Sequence, residues 1–219
     1  MVAIGLNVLV VVLEVWAIGT SILLNGMPNN FVFYTQCSNL LGAVACALCL
    51  VGEVRALRKG QELGRAFRWT KYAASCCLLM TLVVVVAVLA PMLESAGEPG
   101  YYLMFFYSSR FVTHLAAPLL TIVSYILFEA DRGMTLRQSL VGLVPTIAYS
   151  AVAYPCNVAR LWDGPYPFLQ VWNMPLWMTI LWFVVLLVMA FTMCQALRLA
   201  ASACGCLRTR GTSEEYPRG

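Results

Sequence analysis

The only histidine of the chain, His114, lies inside a hydrophobic segment. Polar and ionisable side chains are costly to place in lipid, so a histidine at such a position is a candidate functional group facing the interior of a helix bundle. A polar cluster, Tyr34 to Asn39, opens another hydrophobic segment. An imidazole together with a hydroxyl indicates nucleophilic chemistry, because the imidazole can take the hydroxyl proton near neutral pH and so activate the oxygen to attack a carbonyl carbon.

Spacing selects which of these polar residues can act together. Thr35 and Asn39 are four residues apart and share one face of a helix, and Arg110 and His114 do the same on another. The pattern predicts Thr35 as the nucleophile and His114 as the general base.

Four further residues are candidates for supporting roles. Asn39, Ser38 and Arg110 are candidate donors to an oxyanion that develops during attack by Thr35. Glu14, on an oppositely directed helix, is expected at about the level of His114. There it would either orient the imidazole or pair with Arg110.

Two other classes of function use the same residues. Glu, His and Arg inside a membrane also form proton relays and ion paths, as in a small ion-coupled transporter. A buried Glu14–Arg110 pair would alternatively set the register of the helices in a non-catalytic membrane scaffold. A hydrolase requires Thr35 and His114 close together beside an apolar groove that is open to lipid.

The segments that must position these residues are membrane helices. The 219 residues are 61% apolar and only 11% charged, far from the composition of soluble domains. Apolar runs of 18 or more residues predict spanning helices, and six such runs occur, at 2–24, 31–52, 72–93, 103–128, 139–156 and 175–197. The sequence therefore predicts an all-α integral membrane protein, with a six-helix transmembrane domain over 1–207 and a disordered cytoplasmic tail over 208–219.

The positions of Lys and Arg predict the orientation of these helices, since cytoplasmic loops are enriched in both. All but two of the 14 basic residues lie in the 2–3 loop (from Arg55 to Lys71), in the 4–5 loop or in the C-terminal tail. Both termini are therefore predicted to be cytoplasmic. The exceptions are Arg110 and Arg160. Because no basic stripe is interleaved with aromatic residues, the net charge of +4 does not indicate nucleic-acid binding.

The longest outer loop, 154–173, is rich in proline and aromatic residues, which predicts an ordered cap over the polar layer. The sequence contains neither a ligand cluster nor a phosphate-binding glycine loop. No metal and no cofactor are predicted, and the expected partners are the lipid bilayer and a membrane-lipid or acyl-ester substrate.

Three motifs resemble the androgen-induced/androgen-dependent (FAR-type) membrane proteins, above all their compact bacterial six-helix relatives. They are Phe33-Tyr34-Thr35-Gln36-Cys37-Ser38-Asn39-Leu40-Leu41, the helix-4 residue His114, and Tyr166-Pro167-Phe168-Leu169. The resemblance implies a hydrolase of fatty acyl esters in which an intramembrane threonine and histidine act, at Thr35 and His114. A related acyltransferase is the alternative that it leaves open. It also implies the cell membrane of a bacterium as the location, whereas Arg110 has no counterpart in the eukaryotic pattern.

Overall fold

In a computed structural model, the protein is described over residues 1–214, with only the backbone described at position 28 and over 205–214. Six helices are long and apolar enough to cross a membrane: α1 (Val2–Asn25), α2 (Tyr34–Lys59), α3 (Arg65–Ser95), α4 (Val112–Glu129), α5 (Leu136–Val158) and α6 (Leu176–Cys204). The described residues contain no strand, so the predicted all-α fold with six membrane-spanning helices is confirmed.

The last helix is longer than its spanning part. Its backbone continues in helical conformation to Glu214 and so enters the stretch 208–219 that the sequence predicts as a tail. Residues 215–219 of that stretch lie outside the described residues.

The start of α4 differs from the prediction of one helix over 103–128. A short helix, Gly100–Phe105, is followed by a turn in which Ser108 has a φ of 57°. Helical backbone resumes at Arg110, two residues before the apolar span of α4 begins at Val112. Arg110 Nη1 donates to the carbonyl of Leu103 across this turn, at 2.8 Å. The hydropathy pattern does not predict this break, because the aromatic residues before it are as apolar as those of a membrane-spanning helix. Arg110 is therefore the first residue of this helical stretch instead of lying well inside it.

Helices α1 to α4 form a bundle, and α5 and α6 pack against α3 on one side of it. The α2–α3 contact is built from small residues such as Gly42, Ala45 and Ala74, which let the two backbones approach closely. At Gly42 an added Cβ would lie 2.9 Å from a methyl group of Leu78. The first turns of α5 pack on α6, whereas the rest of α5 packs on α3.

A buried ionic network joins α1 to α4 near the end that carries the termini. Lys71 Nζ lies 3.3 Å from Glu129 Oε2 and also donates to Asn7 Oδ1. Asn7 in turn donates to Glu129 Oε1 at 2.6 Å and to Glu53 Oε2 at 3.2 Å. The assignment of Lys71 to the 2–3 loop is wrong, since this residue lies inside α3 and is fully buried. Its burial is possible because the Glu129 carboxylate on α4 compensates its charge.

Two prolines explain two irregular turns. A π-helical turn over Val85–Leu89 precedes Pro91, and another over Val112–Ala116 precedes Pro118. A proline ring clashes with the carbonyl four residues earlier, here Ala87 and His114, and a widened turn relieves that clash. His114 thus sits in a π-helical turn, a feature that is frequent at functional sites.

Candidate functional site

A groove of about 470 Å³ lies between α2, α3, α5 and α6, under the loop that precedes α6. Its walls are almost entirely apolar, as expected for a site that takes a hydrocarbon chain. They include Val84, Val85, Leu89, Tyr149, Phe168, Leu169 and Leu186.

The groove opens sideways between α5 and α6. Ile147 on α5 and Ile180 and Phe183 on α6 line it and are also about half exposed on the outer surface of the bundle, where the acyl chains of a bilayer would contact them. Thr35 also lines the groove and is only 7% exposed. The groove therefore joins the lipid-facing surface to the buried Thr35.

Thr35 is the second residue of α2, which begins after Phe33 in extended conformation. The first four N–H groups of a helix have no acceptor within the helix. For Thr35 that acceptor is the phenol oxygen of Tyr166, 3.3 Å from the amide nitrogen. The same phenol oxygen lies 3.4 Å from Thr35 Oγ1, so one tyrosine hydroxyl contacts both polar groups of the predicted nucleophile.

Contacts within the loop before α6 hold Tyr166 in place. Asn157 at the end of α5 accepts from the backbone N–H of Val171 at 3.2 Å and from Trp172 Nε1 at 3.0 Å. The ring of Tyr166 stacks on Phe168 with centroids 5.1 Å apart. At Gly164 an added Cβ would collide with the backbone carbonyl of Leu169, so this turn requires a glycine.

His114 is buried on α4, and its Nδ1 lies 2.5 Å from the backbone oxygen of Met104. A carbonyl oxygen only accepts, so Nδ1 carries the hydrogen, and in the neutral ring Nε2 is then the acceptor. That tautomer is the one a general base requires. Among the described residues His114 does not line the groove and forms no hydrogen bond with Thr35.

Asn39 connects the two predicted catalytic residues. Its Nδ2 donates to the carbonyl of Thr35 at 2.8 Å and to the carbonyl of Thr113, the neighbour of His114, at 3.1 Å. This side chain therefore fixes the first turn of α2 against the π-helical turn of α4. Its role is positional in this structure, since its donor nitrogen is occupied by two backbone carbonyls.

Ser38 is also engaged in a structural contact. Its hydroxyl donates to the carbonyl of Thr35 and pairs with Thr81 Oγ1, each at 2.9 Å. The contact with Thr81 joins α2 to α3 beside the groove.

Glu14 and Arg110 do not meet in the described chain. Glu14 is fully buried in α1, and neither carboxylate oxygen has a hydrogen-bond partner among the described residues. Arg110 is bound to Leu103 and lies 5.3 Å from the centre of the Tyr107 ring. Burial lowers the pKa of Arg110 below its ordinary value. The structure thus brings Thr35, Asn39 and the π-helical turn of His114 together and leaves Glu14 and Arg110 apart.

Tyr166 is the site residue that the residue pattern alone did not select. Its sequence signal is the motif Tyr166-Pro167-Phe168-Leu169, which by itself assigns no role to the phenol. No group of three or more His, Cys, Asp or Glu that could hold a metal ion occurs among the described residues. No protein-family model matches the chain, and no curated protein or solved structure matches it either.

Proposed function

We propose that this protein is an intramembrane hydrolase of lipid esters, with Thr35 as its nucleophile and His114 as its general base. The observation that carries the proposal is that the buried Thr35 lines an apolar groove that opens between α5 and α6. An acyl chain entering from the bilayer would bring its ester carbonyl to this hydroxyl. The likeness of three short motifs to the FAR-type membrane hydrolases supports the same assignment.

The reaction proceeds in two halves. Thr35 Oγ1 attacks the ester carbonyl carbon while its proton passes to His114 Nε2. The ester C–O bond then breaks, and the alcohol leaves with that proton. In the second half His114 takes a proton from water, the hydroxide attacks the acyl-threonine, and the carboxylic acid departs as the proton returns to Thr35. The imidazole must approach Thr35 for these transfers, since catalytic hydrogen bonds often tighten only when substrate is bound.

Three variants of the purified protein test the nucleophile, with a long-chain 4-nitrophenyl ester as substrate and a fluorophosphonate as a covalent probe. Thr35→Ala and His114→Ala should each abolish hydrolysis, and Thr35→Ala should also abolish labelling. The double variant should be little worse than either single one, because the two residues act as a unit. Thr192→Ala, which removes a threonine bonded only to its own helix, should leave both readouts unchanged.

Two results would reject the assignment. Full hydrolysis by His114→Ala would exclude the dyad. Labelling that survives in Thr35→Ala and is lost in Ser38→Ala would move the nucleophile to Ser38.

A proton-coupled carrier is the second candidate, favoured by the buried network of Lys71, Glu129, Asn7 and Glu53. Ionisable groups inside a helix bundle mark proton and ion paths as well as packing contacts. A carrier would acidify proteoliposomes that contain a pH-sensitive dye when a solute gradient is applied, and Glu53→Gln would abolish that signal. Ester hydrolysis without any proton movement would reject the carrier.

We further propose a bacterial cell membrane as the location and a cytoplasmic position for both termini. The distribution of Lys and Arg supports this orientation. It predicts that a reporter fused after Gly219 is cytoplasmic and that one inserted at Glu98 is extracytoplasmic. The reverse result for either fusion would overturn it.

A further inference from the structure

We propose that the backbone N–H of Thr35 and the phenol of Tyr166 form an oxyanion site in the wall of the groove. There they would hold the carbonyl oxygen of the ester while Thr35 Oγ1 attacks its carbon. This inference rests on the proposed hydrolase function and extends it to a residue and a backbone group that the residue pattern did not select.

The three atoms concerned are already assembled. The Tyr166 hydroxyl oxygen lies 3.3 Å from Thr35 N and 3.4 Å from Thr35 Oγ1, and both residues line the groove. An oxygen atom that enters beside them reaches both donors while its carbon faces the attacking hydroxyl. Hydrolases of the serine-protease type use the N–H of the nucleophilic residue itself as an oxyanion donor, so this arrangement has a chemical precedent.

The hydrogen bonds of Tyr166 leave its phenol hydrogen available to a substrate. A phenol has one donor hydrogen and also accepts, and Tyr166 accepts here from the N–H of Thr35. Its own hydrogen is available to Thr35 Oγ1 or to an acceptor that enters the groove. When an ester carbonyl arrives, its oxygen replaces the phenol oxygen as the acceptor of the Thr35 N–H, and the phenol donates to the same oxygen.

The surroundings strengthen both donors. Thr35 belongs to the first turn of α2, where the helix dipole is positive and favours negative charge. Tyr166 is 8% exposed, and burial raises its pKa above the ordinary value for a phenol, so its proton is retained at physiological pH. Donors in such a buried site act more strongly on a developing charge than donors in water.

Tyr166→Phe removes only the phenol oxygen and is the decisive variant. With the 4-nitrophenyl ester we expect kcat to fall by about 10²-fold to 10³-fold, while KM stays within a few-fold of the parent value. Covalent labelling of Thr35 by the fluorophosphonate should slow by a similar factor, because that reaction also develops negative charge on an oxygen beside Thr35.

Tyr72→Phe is the matched control. It removes the hydroxyl of another buried tyrosine, which donates to the carbonyl of Cys194 over 2.7 Å. Tyr72 does not line the groove. Thermal unfolding should shift by similar amounts in the two variants, whereas kcat should fall only in Tyr166→Phe.

The outcomes separate this inference from the function on which it rests. An active parent protein whose Tyr166→Phe variant keeps its kcat would overturn the oxyanion site and leave the hydrolase intact. A variant that raises KM and lowers the unfolding temperature without a selective loss of kcat would show a packing role and would also overturn it. A parent protein without any esterase activity would instead reject the hydrolase itself.

Discussion

Lys71 and Glu129 form an ion pair in which Nζ lies 3.3 Å from Oε2 and neither side chain is exposed. The two residues stand on different helices, α3 and α4, and Asn7 of α1 bridges them to Glu53 of α2. Every helix of the four-helix bundle therefore contributes to one network. Ser124 donates to Glu129 Oε2 at 2.9 Å and satisfies a further acceptor site.

Lys71→Met should destabilise the protein by about 3 to 5 kcal/mol, because removal of one partner leaves a buried carboxylate without its counter-charge. The double variant Lys71→Met, Glu129→Leu should recover a substantial part of that loss. Lys59→Met, on an exposed residue at the end of α2, should have little effect. Thermal unfolding in detergent measures all three, and equal midpoints for Lys71→Met and the parent would contradict the ion pair.

Asn39→Leu should lower kcat by about 10²-fold, because misplacement of catalytic groups by about 1 Å has an effect of that size. The substitution removes one hydrogen bond within α2 and the one that holds α2 against α4 at the site. Its effect on stability should be only about 1 to 3 kcal/mol. Asn25→Leu, which removes an asparagine bonded to Ser21, is the control. Unchanged kcat in Asn39→Leu would show that this contact does not position the dyad.

The value of kcat/KM should rise as the pH increases from acid values and should then remain level. His114 accepts a proton only in its neutral form, so protonation of the imidazole at low pH abolishes activity. The rate should not decline again below about pH 10, the ordinary phenol value, because burial raises the pKa of Tyr166 and keeps this donor protonated. A profile measured from about pH 3 to about pH 10 checks both statements, and a rate that increases toward acid pH would contradict the role of His114.

Ile180→Trp should reduce activity on long-chain esters more than activity on short-chain esters. The larger side chain would narrow the opening of the groove between α5 and α6, where Ile180 is half exposed. We expect kcat/KM for a long-chain ester to fall by about tenfold or more, equivalent to about 1.4 kcal/mol, and that for an acetyl ester to stay close to the parent value. Leu181→Trp changes the next residue, which does not line the groove, and should alter neither. An equal loss of kcat/KM for both esters would show that the acyl chain does not bind in this groove.

Local sequence was sufficient for the helices but not for every boundary. A spanning segment must satisfy its backbone hydrogen bonds internally, so a long apolar run is enough to predict a helix, and six were predicted and found. Local sequence does not predict the turn between Phe105 and Arg110, because its aromatic residues are also typical of a membrane helix. The π-helical turn at His114 follows from Pro118, but its consequence for the direction of the imidazole required the structure.

Local sequence likewise predicts some residues of the candidate site but not the contacts between them. Residue type and four-residue spacing selected Thr35, Asn39 and His114, since such patterns follow from the helix period. They did not reveal that Tyr166, 131 residues from Thr35, contacts the predicted nucleophile, or that Lys71 turns inward to Glu129. They also paired Glu14 with residues that it does not bind in the structure. Contacts of this kind depend on how separate helices and a loop pack together, and no period within one segment encodes that packing, so only the tertiary structure decided them.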